Sequence, residues 1–285
     1  MLRPPAAQER VELRPDGLVR ITLKKAYADG TIAVDMDPLS LLCRLAASVP
    51  GAPVSGRAAV PYGVGEELTY KATFGGIPAG TARMRVDGIE SIRGRQAYHV
   101  VFTIDGGVPF FRVHDRYDSW IDVQTLASLR HRQQVSEGRY KRTTTYEIFP
   151  ERGTYQEGDS VYASVSHPLD DGSFIYAIRS AGVRVGETRR DDRYFRPDRN
   201  PVVLTGLRRE VVRVGAGDFV ATVVRPSIKA NGIFSENGEA QVWFSEDARR
   251  YPVLLKSRFA RFSLTLSLQS LVPGEAPVTV AASAP

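Results

Sequence analysis

From Glu66 onward the chain keeps a two-residue rhythm, and this limits its fold more than any other feature. Leu68, Tyr70, Ala72 and Phe74 share one side, with Thr69, Lys71 and Thr73 on the other. Successive side chains of an extended strand point to opposite faces, so the alternation predicts strands with one face buried. The pattern returns at Ala82, Met84 and Val86, at Tyr98, Val100, Phe102 and Ile104, and at Phe262, Leu264, Leu266 and Leu268. Further strands are expected near residues 114–122, 126–136, 139–149, 202–215, 217–226, 239–245 and 252–259. Short turns between half-apolar strands imply antiparallel pairing. A sheet of about ten strands curls into a barrel or half-barrel, or splits into two layers. One stretch breaks the rhythm: Phe174, Ile175 and Ile178 fall at helical spacing and predict a helix over 169–181. The expected fold is therefore all-β and mainly antiparallel, a large curled sheet, half-barrel or barrel-like, carrying one helix.

The texture changes near Ser55. Upstream, residues 10–14 and 18–24 alternate around Pro15-Asp16-Gly17, which predicts a β-hairpin. Asp37-Pro38 then supplies an N-cap and a first-turn proline for a short helix carrying Leu41, Leu42, Leu45 and Ala46. That apolar stripe is too small to fold alone. The expected organisation is an appended, non-independent fragment over 1–50, a Gly/Ala/Pro/Ser linker over 51–60, a β-domain over 61–272 and a disordered tail over 273–285.

Composition narrows the function classes. The single cysteine, Cys43, excludes an intrachain disulfide and any cysteine-based metal site. No apolar run reaches the roughly 18 residues of a membrane helix. The net charge of +6 is spread along the chain, with eight basic and six acidic residues in the first 57, so nucleic-acid binding is not expected of the β-domain. The first residues are polar and lack the apolar core of an export signal, which places the chain in the cytoplasm if Met1 is the true start.

No catalytic, cofactor-binding or metal-ligating set emerges. The histidines His99, His114, His131 and His167 lack the close pairing of metal ligands. The run from His114-Asp115 to Trp120 reads as a solvated strand face of mixed charge. Asp170-Asp171 suits an acidic helix N-terminus rather than a pair of carboxylates acting on one substrate. Phe102, Phe110, Phe111, Trp120, Trp243 and Phe244 are large groups on a sheet with little to cover it. They read as either an ordinary core or the lining of a groove for an apolar ligand.

Two resemblances add to this reading. Asp16-Gly17-Leu18-Val19-Arg20, Tyr27-Ala28-Asp29-Gly30-Thr31 and Asp37-Pro38-Leu39-Ser40-Leu41-Leu42 resemble a fragment of a rolling-circle insertion-sequence transposase. The fragment spans about residues 10–50 and contains neither the catalytic tyrosines nor the His-x-His pair of such enzymes. Gly65 to Tyr70, Gly76-Ile77-Pro78-Ala79-Gly80, the run Asp115 to Asp122, Glu137 to Lys141 and Ser245-Glu246-Asp247 resemble the domain of unknown function 3108 family of bacterial envelope proteins. That resemblance covers about 61–271 and implies a periplasmic or outer-membrane setting with no established activity. The resulting expectation is a non-catalytic envelope protein holding an apolar ligand, such as a lipid, or an envelope protein partner. The alternatives are a structural or protein-interaction β module and a DNA-binding transposase remnant in residues 1–50. The juxtaposition of the two resemblances suggests a chimeric gene product in which an insertion or a gene-model error replaced the leader.

Overall fold

The computed structural model describes residues 11–13, 19–22, 33–36, 60–108, 111–228, 240–259 and 262–275. The chain divides into two compact units, Met1–Ser55 and Gly56–Pro285. In the first, β1 (Val11–Leu13), β2 (Val19–Thr22) and β3 (Ala33–Met36) form a small antiparallel sheet in that order. The hairpin expected there is β1–β2, with Val11 opposite Ile21, and β3 adds a third strand through the pairing of Val19 with Met36. The helix expected after Pro38 lies outside the described residues.

The second unit is one fourteen-stranded antiparallel sheet. Its strands are β4 (Glu67–Phe74), β5 (Ile77–Ile92), β6 (Arg95–Val108), β7 (Phe111–Asp122), β8 (Ser128–Glu137), β9 (Tyr140–Phe149), β10 (Thr154–Glu157) and β11 (Ser160–Ala163), then β12 (Thr188–Asp191), β13 (Val202–Val214), β14 (Gly217–Ser227), β15 (Gln241–Ser245), β16 (Pro252–Phe259) and β17 (Phe262–Val272). The spatial order runs β11 down to β4, crosses to β17, and continues down to β12. Each half is a meander of neighbouring hairpins, and the join pairs β4 with the last strand, Tyr70 lying opposite Leu268. Both outer strands, β11 and β12, are four residues long, which limits the unpaired edge they offer.

So long a sheet curls, and the packing shows where its ends meet. One apolar cluster unites Tyr146 and Ile148 of β9 and Tyr155 of β10 with Leu204 of β13, Val224 of β14 and Phe244 of β15. The two ends of the sheet thus share a single core. Between them lies α1 (Asp171–Ala181), which contributes Phe174 and Ile178 from one face. A backbone bridge from Leu169 to Tyr194 ties the approach to the helix to the segment that follows it. Burying two such side chains is worth about 1.5–3 kcal/mol each. This all-β curled sheet with one helix is the architecture expected from the alternation, and the helix begins two residues later than expected.

The local reason for that start is Asp170, whose extended backbone makes it the N-cap. Its Oδ1 accepts from the backbone N–H of Gly172 at 2.9 Å and of Ser173 at 3.0 Å, while Ser173 Oγ accepts from the Asp170 N–H at 2.7 Å. This reciprocal box satisfies donors the first turn would otherwise leave open. At the other end Gly182 adopts φ 68° and its N–H returns to the Ile178 carbonyl.

Candidate functional site

Four of the six aromatic residues picked out from the sequence have described side chains, and all four enter apolar clusters. Trp120 is buried with Ile92, Ala97 and Leu129. Trp243 is buried in the cluster around Leu68 and Tyr70, against which Phe102 packs half-buried. Phe244 belongs to the cluster under α1. Phe110 lies outside the described residues, and of Phe111 only its place at the start of β7 is described.

The run along β7 departs from the expected solvated face. Asp115, Asp118, Ser119 and Asp122 are all buried, each supplied with partners from distant strands or loops. Asp115 accepts from the Ser136 N–H and Asp122 from Arg95 and Thr125, while the adjacent Asp118 and Ser119 enter two different networks. On one side, Asp118 accepts from Arg116 Nε at 2.9 Å and lies 2.8 Å from His99 Nε2. The His99 ring stacks on Trp120 with centroids 4.5 Å apart, and its Nδ1 lies 2.9 Å from Glu90 Oε1. Burial works against a charged His99, but Asp118 and Glu90 outweigh it and raise its pKa. Burial would raise the Asp118 carboxyl; its hydrogen bonds to His99 and Arg116 lower it instead.

On the opposite side Ser119 meets His131 and the N-terminus of α1. Ser119 Oγ donates to Asp170 Oδ1 at 2.6 Å and lies 3.1 Å from His131 Nδ1. His131 Nδ1 donates to the Asp118 carbonyl at 3.0 Å, and Nε2 lies 3.0 Å from Gln133 Nε2 and 3.5 Å from Asp171 Oδ2. The doublet Asp170-Asp171 therefore sets two carboxylates around one imidazole, Asp170 Oδ1 being 3.6 Å from Nδ1. The doublet stands at the helix N-terminus, as its acidity suggested, Asp170 as N-cap and Asp171 in the first turn, and there the pair also flanks the ring. Burial opposes the charged form of His131, yet the two carboxylates hold its pKa up to about 8. Asp171 is lowered in return, His131 and the Tyr194 hydroxyl overcoming the cost of its desolvation.

Serine, histidine and aspartate thus come together, but not as a nucleophilic triad. The Ser119 proton is given to Asp170, not to histidine, and the Nδ1 proton goes to a backbone carbonyl. Ser119 and His131 are also sealed from solvent, at 1% and 0% exposure. The set fastens the helix N-terminus to β7 and β8. None of it was visible in sequence, because its members come from positions 119, 131 and 170–171 and need the sheet to meet.

The C-terminal half of α1 is fastened differently. Arg179 donates to Glu66 from Nη1 at 2.6 Å and from Nη2 at 2.9 Å, a bidentate pair with both side chains buried. Remaining donors reach the carbonyls of Pro61 and Arg249, and the guanidinium lies within 5.5 Å of the ring centroids of Tyr62, Tyr176 and Tyr251. Burial pushes the Tyr176 hydroxyl well above its usual range.

Two cavities flank these fastenings. One, of about 790 Å³, lies beside the end of α1, with Ile178, Val183, Val224 and Phe244 in its wall and Arg184, Arg189 and Arg250 among its charged groups. Of the six sequence-selected aromatics, Phe244 lines it. The other, of about 410 Å³, is bounded by β8, β9 and residues 196–199. Among the described residues no cluster of three or more His, Cys, Asp or Glu side chains could hold a metal ion, and no helix is long and apolar enough to cross a membrane.

The model of the family described as protein of unknown function DUF3108 matches residues 69–267. No curated protein matches the chain. Among solved structures, the β-barrel-like protein of domain of unknown function DUF1849 from Brucella abortus is 11% identical with a TM-score of 0.47, covering 76% of this chain and 100% of that one. A candidate lipoprotein from Parabacteroides distasonis is 11% identical with a TM-score of 0.35, covering 75% of this chain and 99% of its own. A candidate exported protein with a YmcC-like fold from Bacteroides fragilis is 13% identical with a TM-score of 0.31, covering 76% and 99%.

Proposed function

Because this chain belongs to the DUF3108 family, which carries no assigned activity, we propose that it is a non-catalytic cell-envelope protein holding an amphiphilic, lipid-like ligand. The observation that carries this is the 790 Å³ cavity beside α1. Its size falls in the range of small-molecule sites. Ile178, Val183, Val224 and Phe244 provide an apolar wall, and Arg184, Arg189 and Arg250 provide cations for a polar head. Arg189 Nε is buried without a hydrogen-bond partner, a donor that an acidic head group would satisfy. The periplasmic or outer-membrane setting rests on the family resemblance of the sequence motifs.

Native mass spectrometry of the full chain, produced with an export signal and recovered from the periplasm, tests this reading. A lipid-sized adduct that disappears in Val183→Trp, which enlarges a side chain of the cavity wall, is the expected result. A bare polypeptide mass, or an adduct indifferent to that substitution, would remove the cavity from consideration. The transposase-like segment 1–50 as a DNA-binding remnant is a separate proposal: salt-sensitive DNA affinity lost on deleting residues 1–57 is its required signature.

A further inference from the structure

The smaller cavity differs from the larger in chemistry. Of its nine lining residues only Val135 is aliphatic; the rest carry guanidinium, hydroxyl, amide or carboxylate groups. Three are arginines, Arg142, Arg196 and Arg199, against one carboxylate, Glu157. That carboxylate is already committed to Arg142 at 3.3 Å. Among the described residues no carboxylate lies within ion-pair distance of Arg196 or Arg199, Asp198 and Asp171 acting on them only at longer range, and Arg196 Nε is buried without a hydrogen-bond partner. A buried donor left open costs free energy that a bound acceptor would recover.

The two arginines are also held in place before any ligand arrives. Arg196 is the N-cap and Arg199 the last residue of a single 3-10 turn, Pro197–Arg199. Asn200 closes the segment, its Oδ1 accepting from the Tyr194 N–H at 3.0 Å and its Nδ2 donating to the Tyr194 carbonyl at 2.9 Å. Arg199 lies over the Tyr194 ring at 5.7 Å and donates to its hydroxyl at 3.3 Å, and that hydroxyl donates to Asp171 at 2.8 Å. Across the cavity Thr144 and Gln133 are fixed by the pairing of β8 with β9, where Gln133 faces Thr144. A guanidinium that is positioned in advance and lacks a carboxylate partner suits a phosphate or carboxylate, which it can grip through two parallel N–H bonds.

We infer that this cavity is a binding site for a small, hydroxyl-rich anion of the phosphorylated-sugar class, with Arg196 and Arg199 gripping the anionic group and Gln133 and Thr144 receiving the hydroxyls. The scarcity of aliphatic lining argues for a soluble phosphate ester over a phosphorylated lipid, although the two share the same anionic group. The site is separate from the larger cavity, with which it shares no lining residue.

Isothermal titration calorimetry of the full chain with glucose 6-phosphate, glucose and dihexanoyl phosphatidic acid tests it. Glucose 6-phosphate should bind, weaken with added salt because the site is partly open to solvent, and lose at least about tenfold in affinity in Arg196→Gln or Arg199→Gln. Arg213→Gln, at an exposed hairpin tip, should leave binding unchanged, and glucose should give no binding heat. Thr144→Glu adds a carboxylate to the cavity wall and should abolish binding even if the arginine variants are poorly folded. Absence of binding to either anion, or affinity unchanged in all three cavity variants, would overturn the proposal. Tighter binding of phosphatidic acid than of glucose 6-phosphate would overturn the assignment to a soluble polar ligand.

Discussion

The two ends of α1 are fastened to the same sheet by opposite kinds of chemistry. At the C-terminal half a single guanidinium is bidentate to Glu66, takes two backbone carbonyls as further acceptors and sits within a ring of tyrosines. Both charges of that pair are enclosed. At the N-terminus His131 is shared between Asp170 and Asp171, Asp170 Oδ2 is buried without a partner, and Asp171 is half-exposed. The first arrangement is closed, with no buried side-chain polar atom of Glu66 or Arg179 left without a partner. The second is incompletely satisfied, titratable, and connected through Gln133 and Tyr194 to the arginine-lined cavity. A fold can tolerate an open network beside a cavity when another part of the same helix is anchored firmly.

If that contrast holds, the closed end carries the larger share of stability. Removing one partner of a buried pair leaves the other charge desolvated and uncompensated, which costs about 3–5 kcal/mol. Arg179→Met should therefore lower the urea midpoint more than any substitution at the N-terminal end. Since replacing a whole buried pair by apolar groups is often near neutral, the double variant Glu66→Leu/Arg179→Met should recover part of the loss. A single variant costing under about 1 kcal/mol would mean that the pair is effectively solvated, and the contrast between the two ends would collapse.

The open end should show itself through pH. His131 has its folded pKa held up at about 8, above the roughly 6.5 of an unfolded histidine. Its stabilising contribution is therefore complete below about pH 6.5 and is lost as pH rises through about 8. The shift corresponds to about 2 kcal/mol at most. Urea unfolding between about pH 6 and about pH 9 should show stability falling with pH, and the slope should flatten in His131→Asn. His99 is raised as well and adds a slope of the same sign, so the informative quantity is the difference between the two proteins. Identical slopes would mean that His131 is not held charged by the two carboxylates.

How much of this was legible depended on whether a signal was local. The sequence located β4 through β9 and β13 through β17 because most are long enough to show two or more repeats, whereas the five-residue β15, buried at four consecutive positions, showed itself as an apolar run. Alternation missed β10, β11 and β12, which are four residues each, too short to show a repeat, and lie toward the sheet's two ends. The helix was legible from Phe174 and Ile178, and its acidic N-terminus from Asp170-Asp171, but the contacts of Asp170 with Ser119 and His131 and the role of Arg179 were not. Glu66 and Arg179 are 113 positions apart, and Ser119 and Asp170 are 51 apart. A buried polar residue looks like a surface one until its partner is known, which is why Asp115 and Asp118 read as solvent-facing. The arginine-lined cavity was hidden for the same reason, since β8, β9 and the 196–199 turn meet only when the sheet curls.

The smallest predicted effect tests how tightly the open end is nevertheless packed. Gly172 lies in the first turn of α1, where alanine would ordinarily favour a helix over glycine by about 1 kcal/mol. A Cβ there would fall 2.5 Å from Ser119 Oγ and 3.3 Å from Ser119 Cβ. That hydroxyl cannot simply rotate away, because it donates to Asp170 at 2.6 Å and borders His131 at 3.1 Å. Overpacking of this kind costs about 1–3 kcal/mol, so Gly172→Ala should be net destabilising by about 1 kcal/mol despite the better helix former. Ser119→Gly in the same background removes the clash together with the hydroxyl. If Gly172→Ala instead raises the urea midpoint, the Ser119 hydroxyl is free to move, and the N-terminal network fastens the helix less tightly than its short distances imply.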